Sequence, residues 1–434
     1  MHLGLFLLAT GSHIAGWRYP GALDTFLDLE ALKKIAATAE RGRFDTIFIG
    51  DNLVGDPTAH PSYTLRYEPL TMLSALAQST SHIGLGATSS TTYGDPFSVA
   101  RVFASLDHIS NGRAAWNVVT TAGTAAAENF GKIHPNHAER YEIAGEFVDV
   151  VFGLWDCWDD DAVVKDRESG LYIDPKKVRT VDHDGHYYKV RGPLNISRSP
   201  QGRPLILQAG GSGAGQALAA RTADVVFSVV QDLDEAKAAY AGLKGRLAEF
   251  GRGKDDLIIL PGVMPVVGKT TREAMDKLNT LQSFVATSNA MEMLSERLGQ
   301  DMSKYDPDGP IADIQIADGY HSFVSVMLSK ARREGMTLRE LSNLAGAARG
   351  HWVLCGDPEF IADTLQQWFE QGAADGFNVM PPYFPGGLDD FVDLVVPILQ
   401  ERGLFRREYE GTTLRELFGL SRPAPGEQAH AIAR

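Results

Sequence analysis

At 434 residues the chain is two to three times the ordinary domain length, long enough to bury a sizeable core with no disulfide or metal staple. Lys plus Arg (41) against Asp plus Glu (55) leaves a net charge of -14, which removes the electrostatic footing that nucleic acids or anionic membranes require of a partner. A hydrophobic share of 44% excludes disorder as the main state, and two cysteines, Cys157 and Cys355, are too few for a disulfide framework or a four-thiolate metal site.

The first predicted element is a strand over His2–Leu8. Its apolar run is too short for a membrane span and has no basic leader, so it reads as neither anchor nor signal peptide, and a cytoplasmic location is expected. Further short apolar runs follow at Asp45–Gly50, His82–Ala87, Ala114–Val119, Pro204–Ala209, Val225–Val229, Leu257–Gly262 and Gly376–Met380. Continuous apolar runs of this kind are how parallel strands buried on both faces read. Amphipathic helices are predicted at Asp28–Arg41, Tyr67–Gln78, Pro96–Ser110, Asn136–Trp158, Gly213–Thr222, Leu233–Phe250 and Asp357–Gln371. Such a βα alternation predicts an α/β fold, a (β/α)8 TIM barrel rather than an open doubly wound sheet.

A bare barrel needs only about 250 residues, so the surplus is assigned to two insertions. Asp159–Arg203 carries a hairpin signal around Asp184-Gly185. Thr271–His351 is read as a lid-like excursion after the seventh strand. With no repeat or linker between halves, residues 1–420 are taken as one domain, and 421–434 as a tail without periodicity, either disordered or a strap across a neighbour.

In a barrel the chemistry sits where strands end at the carboxyl face. Polar residues there are His13 with Trp17 after the first strand, Asp51 after the second, Thr88 after the third, Asn117 in the fourth and Ser212 after the fifth. The stretch QAGGSGAGQALAA is a glycine-rich turn in which the backbone around Gly211 and the Ser212 hydroxyl form an anion cradle without Lys or Arg. It is no dinucleotide fingerprint, because the third required glycine falls at Gln216. GVMPVVGKT misses the P-loop spacing by one residue. On the helix after the fourth strand, His137 and Tyr141 stand four residues apart on one face, able to reach one phosphate together. The pairs His134/His137 and His183/His186 lack further ligands, so no metal is expected; Asp107 reads as structural. Without G-x-S-x-G or a close carboxylate pair, hydrolysis is unsupported. An uncharged, phosphate-tipped pocket suits an organic cofactor that brings its own reactivity.

The blocks WRYP, ERGRFDTIFIGD, GLGATSSTTYGDPFSVARVFASLDHISNGRAAWNVVT, ERYEIAGEFVDVVFGLWDCW, GPLNISRSPQGRPLILQAGGS and GDPEFIADTLQQWFEQGAADGFNVMPPYF resemble the bacterial-luciferase-like flavin monooxygenases. Within them the similarity is to the branch of nitrilotriacetate, EDTA and dibenzothiophene-sulfone monooxygenases, thinning only between about Thr271 and Gly350. The resemblance implies an enzyme that takes reduced FMN from a separate NAD(P)H:flavin reductase, reacts it with O2 and oxygenates a small organic substrate, a thioether, sulfone or aminopolycarboxylate. It further implies that Asp51, Thr88, His137, Tyr141 and Ser212 contact FMN, with Asn117 and Gly211 beside them. His13 and His351 are implied on the substrate side as catalytic hydrogen-bond donors or proton shuttles, and a homodimer or homotetramer is implied as the assembly. Arg18 offers itself as an anion contact. Two alternatives stay open: an F420-dependent oxidoreductase on the same barrel, and a non-catalytic flavin-binding barrel.

Overall fold

The computed structural model describes residues 1–8, 10–55, 65–285, 291, 294, 295, 298, 300–311, 321–348 and 350–425, the side chains of 321–326 and 343–346 excepted. Its main sheet has nine strands: β1 (His2–Phe6), β2 (Thr46–Ile49), β3 (Gly84–Ser90), β4 (Ala114–Val119), β5 (Leu205–Gln208), β6 (Val225–Ser228), β7 (Ile258–Val267), β8 (Trp352–Gly356) and β9 (Gly376–Val379). All neighbours are parallel, in the order β8-β7-β9-β1-β2-β3-β4-β5-β6, and β6 pairs again with β7. Eight strands thus close into the expected TIM barrel, with β8 as an unforeseen ninth.

The ninth strand enters at a defined place. Val263 pairs with Val379 of β9 on one edge of β7 and with Trp352 of β8 on the other. That second edge is the one which Ile258–Pro261 share with β6. Strand β8 therefore takes over from β6 where β6 stops, and GVMPVVG is the upper half of one long strand rather than a phosphate loop.

The surrounding helices start where their sequences say they should. Asp28, Asp95, Asn136, Ser212, Asp232, Thr270 and Asp357 each accept a first-turn backbone N–H, opening α1 (Leu29–Arg41), α3 (Pro96–Ile109), α4 (His137–Trp155), α5 (Gly213–Thr222), α6 (Leu233–Arg246), α7 (Thr271–Ser283) and α10 (Pro358–Glu370). Helix α2 (Pro69–Leu76) is capped by Glu68, and proline stands at the start of α2, α3 and α10, where its missing N–H costs nothing. Alternation along a strand separates two cores: Leu3, Leu5 and Leu7 face the helices, while Phe6 and Leu8 join Phe48, Ala115, Leu205, Leu207 and Leu260 inside the barrel.

At the amino ends of the strands the barrel is stoppered by the chain's own later residues. Leu414, Leu417 and Phe418 belong to the interior core, and a Cβ on Gly84 would lie 2.4 Å from the Leu414 Cδ1. Arg415 grips Asp224 at 3.0 and 3.1 Å, and Arg406 grips the fully buried Asp45 at 2.5 Å. Beyond Leu420 the tail first runs back over its own chain. Arg422 pairs with Asp160, and the Pro423 carbonyl accepts from Arg198 at 2.6 Å; residues 426–434 lie outside the described part.

Both insertions are present. In the first, a hairpin is present with its turn shifted to Gly185–Tyr188, since Asp184 itself pairs with Lys189 and His183 with Val190; Glu146 of α4 holds it down, accepting from the Tyr187 and Tyr188 backbone at 3.0 and 2.8 Å. The second runs between β7 and β8 through α7, α8 (His321–Glu334) and α9 (Leu338–Ala348). It has a small core of its own, including Met302, Met327, Leu328, Leu338 and Leu341, and that core rests on Ile14 of the loop after β1. No helix among the described residues is long and apolar enough to cross a membrane.

Candidate active site

At the carboxyl end of the barrel, polar side chains stand on or just after most of the strands. The first group lies between β5 and α5. Ser212 is the N-cap of α5, its Oγ accepting from the Gly215 N–H at 3.1 Å. A Cβ on Gly215 would sit 2.9 Å from the Tyr141 hydroxyl, and one on Gly210 would sit 3.4 Å from it. Glycine is thus required for the turn to approach α4 this closely. The His137 ring lies 5.0 Å from that of Tyr141, whose hydroxyl stands against the turn that holds Gly211 and Ser212. Sequence reasoning missed two neighbours of this turn. Gln208, the last residue of β5, donates to the Gly215 carbonyl at 3.3 Å, while its Oε1 is buried with no partner among the described residues. Arg246 reaches the Gly213 carbonyl at 3.4 Å.

A second group is a polar rung across three strands. Asn117 of β4 donates to Thr88 Oγ1 at 2.8 Å, and Thr88 of β3 donates to the Ile49 carbonyl of β2 at 2.7 Å. Both side chains are buried, and Asn117 Oδ1 finds no partner among the described residues. Two residues beyond Ile49 stands Asp51, whose carboxyl is pushed above the usual carboxylate range chiefly by burial.

His13 forms the third. Its loop is stitched to the loop after β9: Ser12 N–H donates to the Pro381 carbonyl at 2.8 Å, His13 N–H to Pro382 at 3.2 Å, and Phe384 N–H to Thr10 at 3.1 Å. The imidazole is completely buried, and burial pushes its pKa down to about 4. Its Nδ1 accepts from the Ala15 N–H at 3.1 Å, so the neutral ring carries its proton on Nε2. That Nε2 is buried without a partner among the described residues, as is the Ser12 Oγ. At neutral pH His13 is therefore a neutral donor, not a cation.

His351 closes the circle where β8 joins β7. Its ring lies flat on Phe227, 4.8 Å between centroids and 6° from parallel, and a Cβ on Gly262 would fall 2.5 Å from its Nδ1. Phe227 packs with Phe6 at 5.5 Å and Phe48 at 5.7 Å, an apolar bed under the mouth. Asn378 of β9, between Gly4 and Gly262 in register, turns another buried, unpartnered Oδ1 inward. A polar letter in the apolar strand GFNV was the signal for it.

Other candidates resolve differently. Arg18 is exposed; its Nη1 donates to the Phe284 carbonyl at 2.5 Å and its guanidinium stands 5.0 Å over the Phe284 ring, which ties the loop after β1 to the end of α7. His134 meets the Tyr93 hydroxyl at 2.7 Å and His183 meets Glu146 at 3.1 Å. Among the described residues no cluster of three or more His, Cys, Asp or Glu could hold a metal. Asp107 is structural, accepting from Ala114 N–H at 3.0 Å and Gln201 Nε2 at 2.6 Å.

The glycine turn at the start of α5, with the Tyr141 hydroxyl against it, could take an anionic group, and the buried amide oxygens of Asn117, Gln208 and Asn378 could accept from a bound donor. Residues 1–375 match the model of the luciferase-like monooxygenases. The chain is similar to N-acetyl-S-(2-succino)cysteine monooxygenase of Bacillus subtilis (strain 168), 49% identical over 97% of both chains. It is also similar to nitrilotriacetate monooxygenase component A of Aminobacter aminovorans, 46% identical over 98% of this chain and 97% of that one. The crystal structure of riboflavin lyase RcaE, with modified FMN and riboflavin, superposes with a TM-score of 0.87 at 30% identity, covering 98% of this chain and 97% of that chain.

Proposed function

The chain belongs to the luciferase-like monooxygenase family, and from that premise we propose that it takes reduced FMN from a separate NAD(P)H:flavin reductase and uses O2 to oxygenate a small organic substrate containing sulfur or nitrogen. The observation that carries the cofactor assignment is the glycine turn of α5 with the Tyr141 hydroxyl and His137 set against it. Relatives named for a cysteine thioether and for an aminopolycarboxylate support the substrate class, and a relative named as a component A supports the separate reductase.

Bound there, reduced FMN would supply the two electrons by which O2 gives one oxygen atom to the substrate and the other to water. The chain's own residues supply everything around that chemistry. Ser212, Gly211, Tyr141 and His137 would hold the phosphate; Asp51, Thr88 and Asn117 would line the ring end. Burial pushes the Asp51 carboxyl above the usual carboxylate range. Phe6, Phe48 and Phe227 would keep water from below, and the excursion, whose core packs on Ile14 of the loop after β1, would act as the cover. His13 offers a fixed Nε2–H to an oxygen at the reacting centre.

Fluorescence titration with reduced FMN, oxidised FMN and F420 tests the cofactor. Reduced FMN is expected to bind best, and Gly215→Val, whose Cβ would enter the Tyr141 contact, is expected to weaken it about tenfold to a hundredfold, the equivalent of ~1–3 kcal/mol of steric misfit. Tyr141→Phe and Ser212→Ala should weaken it less. Preferential F420 binding would replace the proposal with a hydride-transfer enzyme. Coupled assays with a reductase, O2 and either N-acetyl-S-(2-succino)cysteine or nitrilotriacetate then test substrate class; flavin binding with every organic probe left intact would favour the non-catalytic barrel.

A further inference from the structure

Gln231 lies in the turn between β6 and α6, 8% exposed, and belongs to none of the groups above. Its Nε2 donates to the Gly350 carbonyl at 2.6 Å. Gly350 has a φ of 81°, the left-handed turn by which the chain leaves α9 and enters β8, and the His351 N–H then donates back to the Ala348 carbonyl at 2.9 Å. The carbonyl that Gln231 holds and the N–H that Ala348 holds are the two ends of one peptide unit. A peptide plane fixed at both ends cannot rotate, so the Cα of His351 is placed before its side chain is considered. The ring is then limited to one plane by Phe227 beneath it and by the glycine at 262.

Gln231 and Phe227 come from the same strand top. The register of Trp352 with Val263 sets the height at which the chain enters β8; the amide of Gln231 sets the orientation of the peptide plane just before it, relative to the ring on which His351 must lie. Arg333 of α8 reaches Glu235 at 3.3 Å, a second tie from the excursion to the same corner.

We propose that Gln231 is a positioning residue that sets the His351 imidazole through the Gly350 carbonyl; this rests on the reading of His351 as a group lining the reaction site. The test uses the full-length protein labelled with 15N-histidine, with the His351 ring signals identified by their loss in His351→Gln. In Gln231→Leu and Gln231→Met, neither of which has a hydrogen-bond donor, the His351 signals are expected to shift or split while those of His13 stay in place and FMN affinity is unchanged. Peroxide release after mixing reduced FMN with O2, with no organic substrate present, is expected to accelerate about tenfold, the scale for a displaced active-site group. Gln231→Leu should add nothing further in the His351→Gln background. Unmoved His351 signals in both variants overturn the proposal. Moved signals, with peroxide release in His351→Gln equal to wild type, uphold the placement by Gln231 and overturn instead the role given to His351.

Discussion

Between pH 7.5 and about pH 4, the wild-type chain is expected to lose about 3 kcal/mol more stability than its His13→Gln variant, as measured by urea unfolding at each pH. The cause is the complete burial of the imidazole, which holds its folded-state pKa at about 4 against an ordinary value of 6.5. In the unfolded chain the ring takes up a proton as the pH falls through 6.5; in the folded chain it stays neutral until about 4. Over that window the unfolded state binds more protons, so stability falls as the pH falls, at about 1.4 kcal/mol per unit for this one group. Other residues titrate in the same range, but they do so in both proteins, and the difference isolates His13. Parallel stability curves for the two proteins would mean that the ring is protonated in the folded state and that the neutral-donor assignment is wrong.

Asp45→Ala is expected to cost about 3–5 kcal/mol, the usual penalty for leaving one member of a buried ion pair alone. Asp45 has no exposed surface and accepts from the Leu3 N–H at 2.7 Å, His2 Nδ1 at 3.0 Å and Arg406 Nη2 at 2.5 Å. Burial alone would raise its pKa, but the charges of His2 and Arg406 with the hydrogen bonds from His2 and Leu3 hold it below the ordinary carboxylate range. Its contribution is therefore present above that range and lost as the pH falls through its folded value. Arg406 also donates to the Leu417 carbonyl at 2.8 Å, so an uncompensated guanidinium loosens the stopper as well as the pair. Thermal unfolding of Asp45→Ala, Arg406→Leu and Asp45→Leu/Arg406→Leu separates the terms. The double variant should recover much of the loss; strictly additive losses would show that the two groups do not depend on one another.

Much of the barrel was legible because its information is local. Runs such as LFLL and IFI are unbroken apolar stretches, and capping residues such as Asp28, Asn136 and Asp357 stand beside the helices they open. The glycine turn was legible for the same reason, since a close approach of backbone needs glycine wherever the partner comes from. What stayed hidden depends on non-local register. WVLCG is as strand-like as the other runs, but only the pairing of Val263 with two neighbours shows that β7 has an upper half for it to join. Gln208 and Asn378 look like stray polar letters until the barrel turns them inward, and the proton on His13 follows from an N–H two residues further along its own loop. The place of Leu414 in the barrel's floor was hidden too, because a helix of four residues has no periodicity to show which face it buries.

That stopper also orders events during synthesis. The first strand made, β1, must wait for β9 before the ring closes, and the ring's floor is completed only by Leu414, Leu417 and Phe418, which emerge later still. Until then a nascent chain holds an open-ended barrel whose interior leucines and phenylalanines are reachable from one side, the kind of surface that chaperones and aggregation compete for. A chain ended before Leu414 would remain in that condition permanently, and its partition into the insoluble fraction during expression would measure how much the last turn of helix protects.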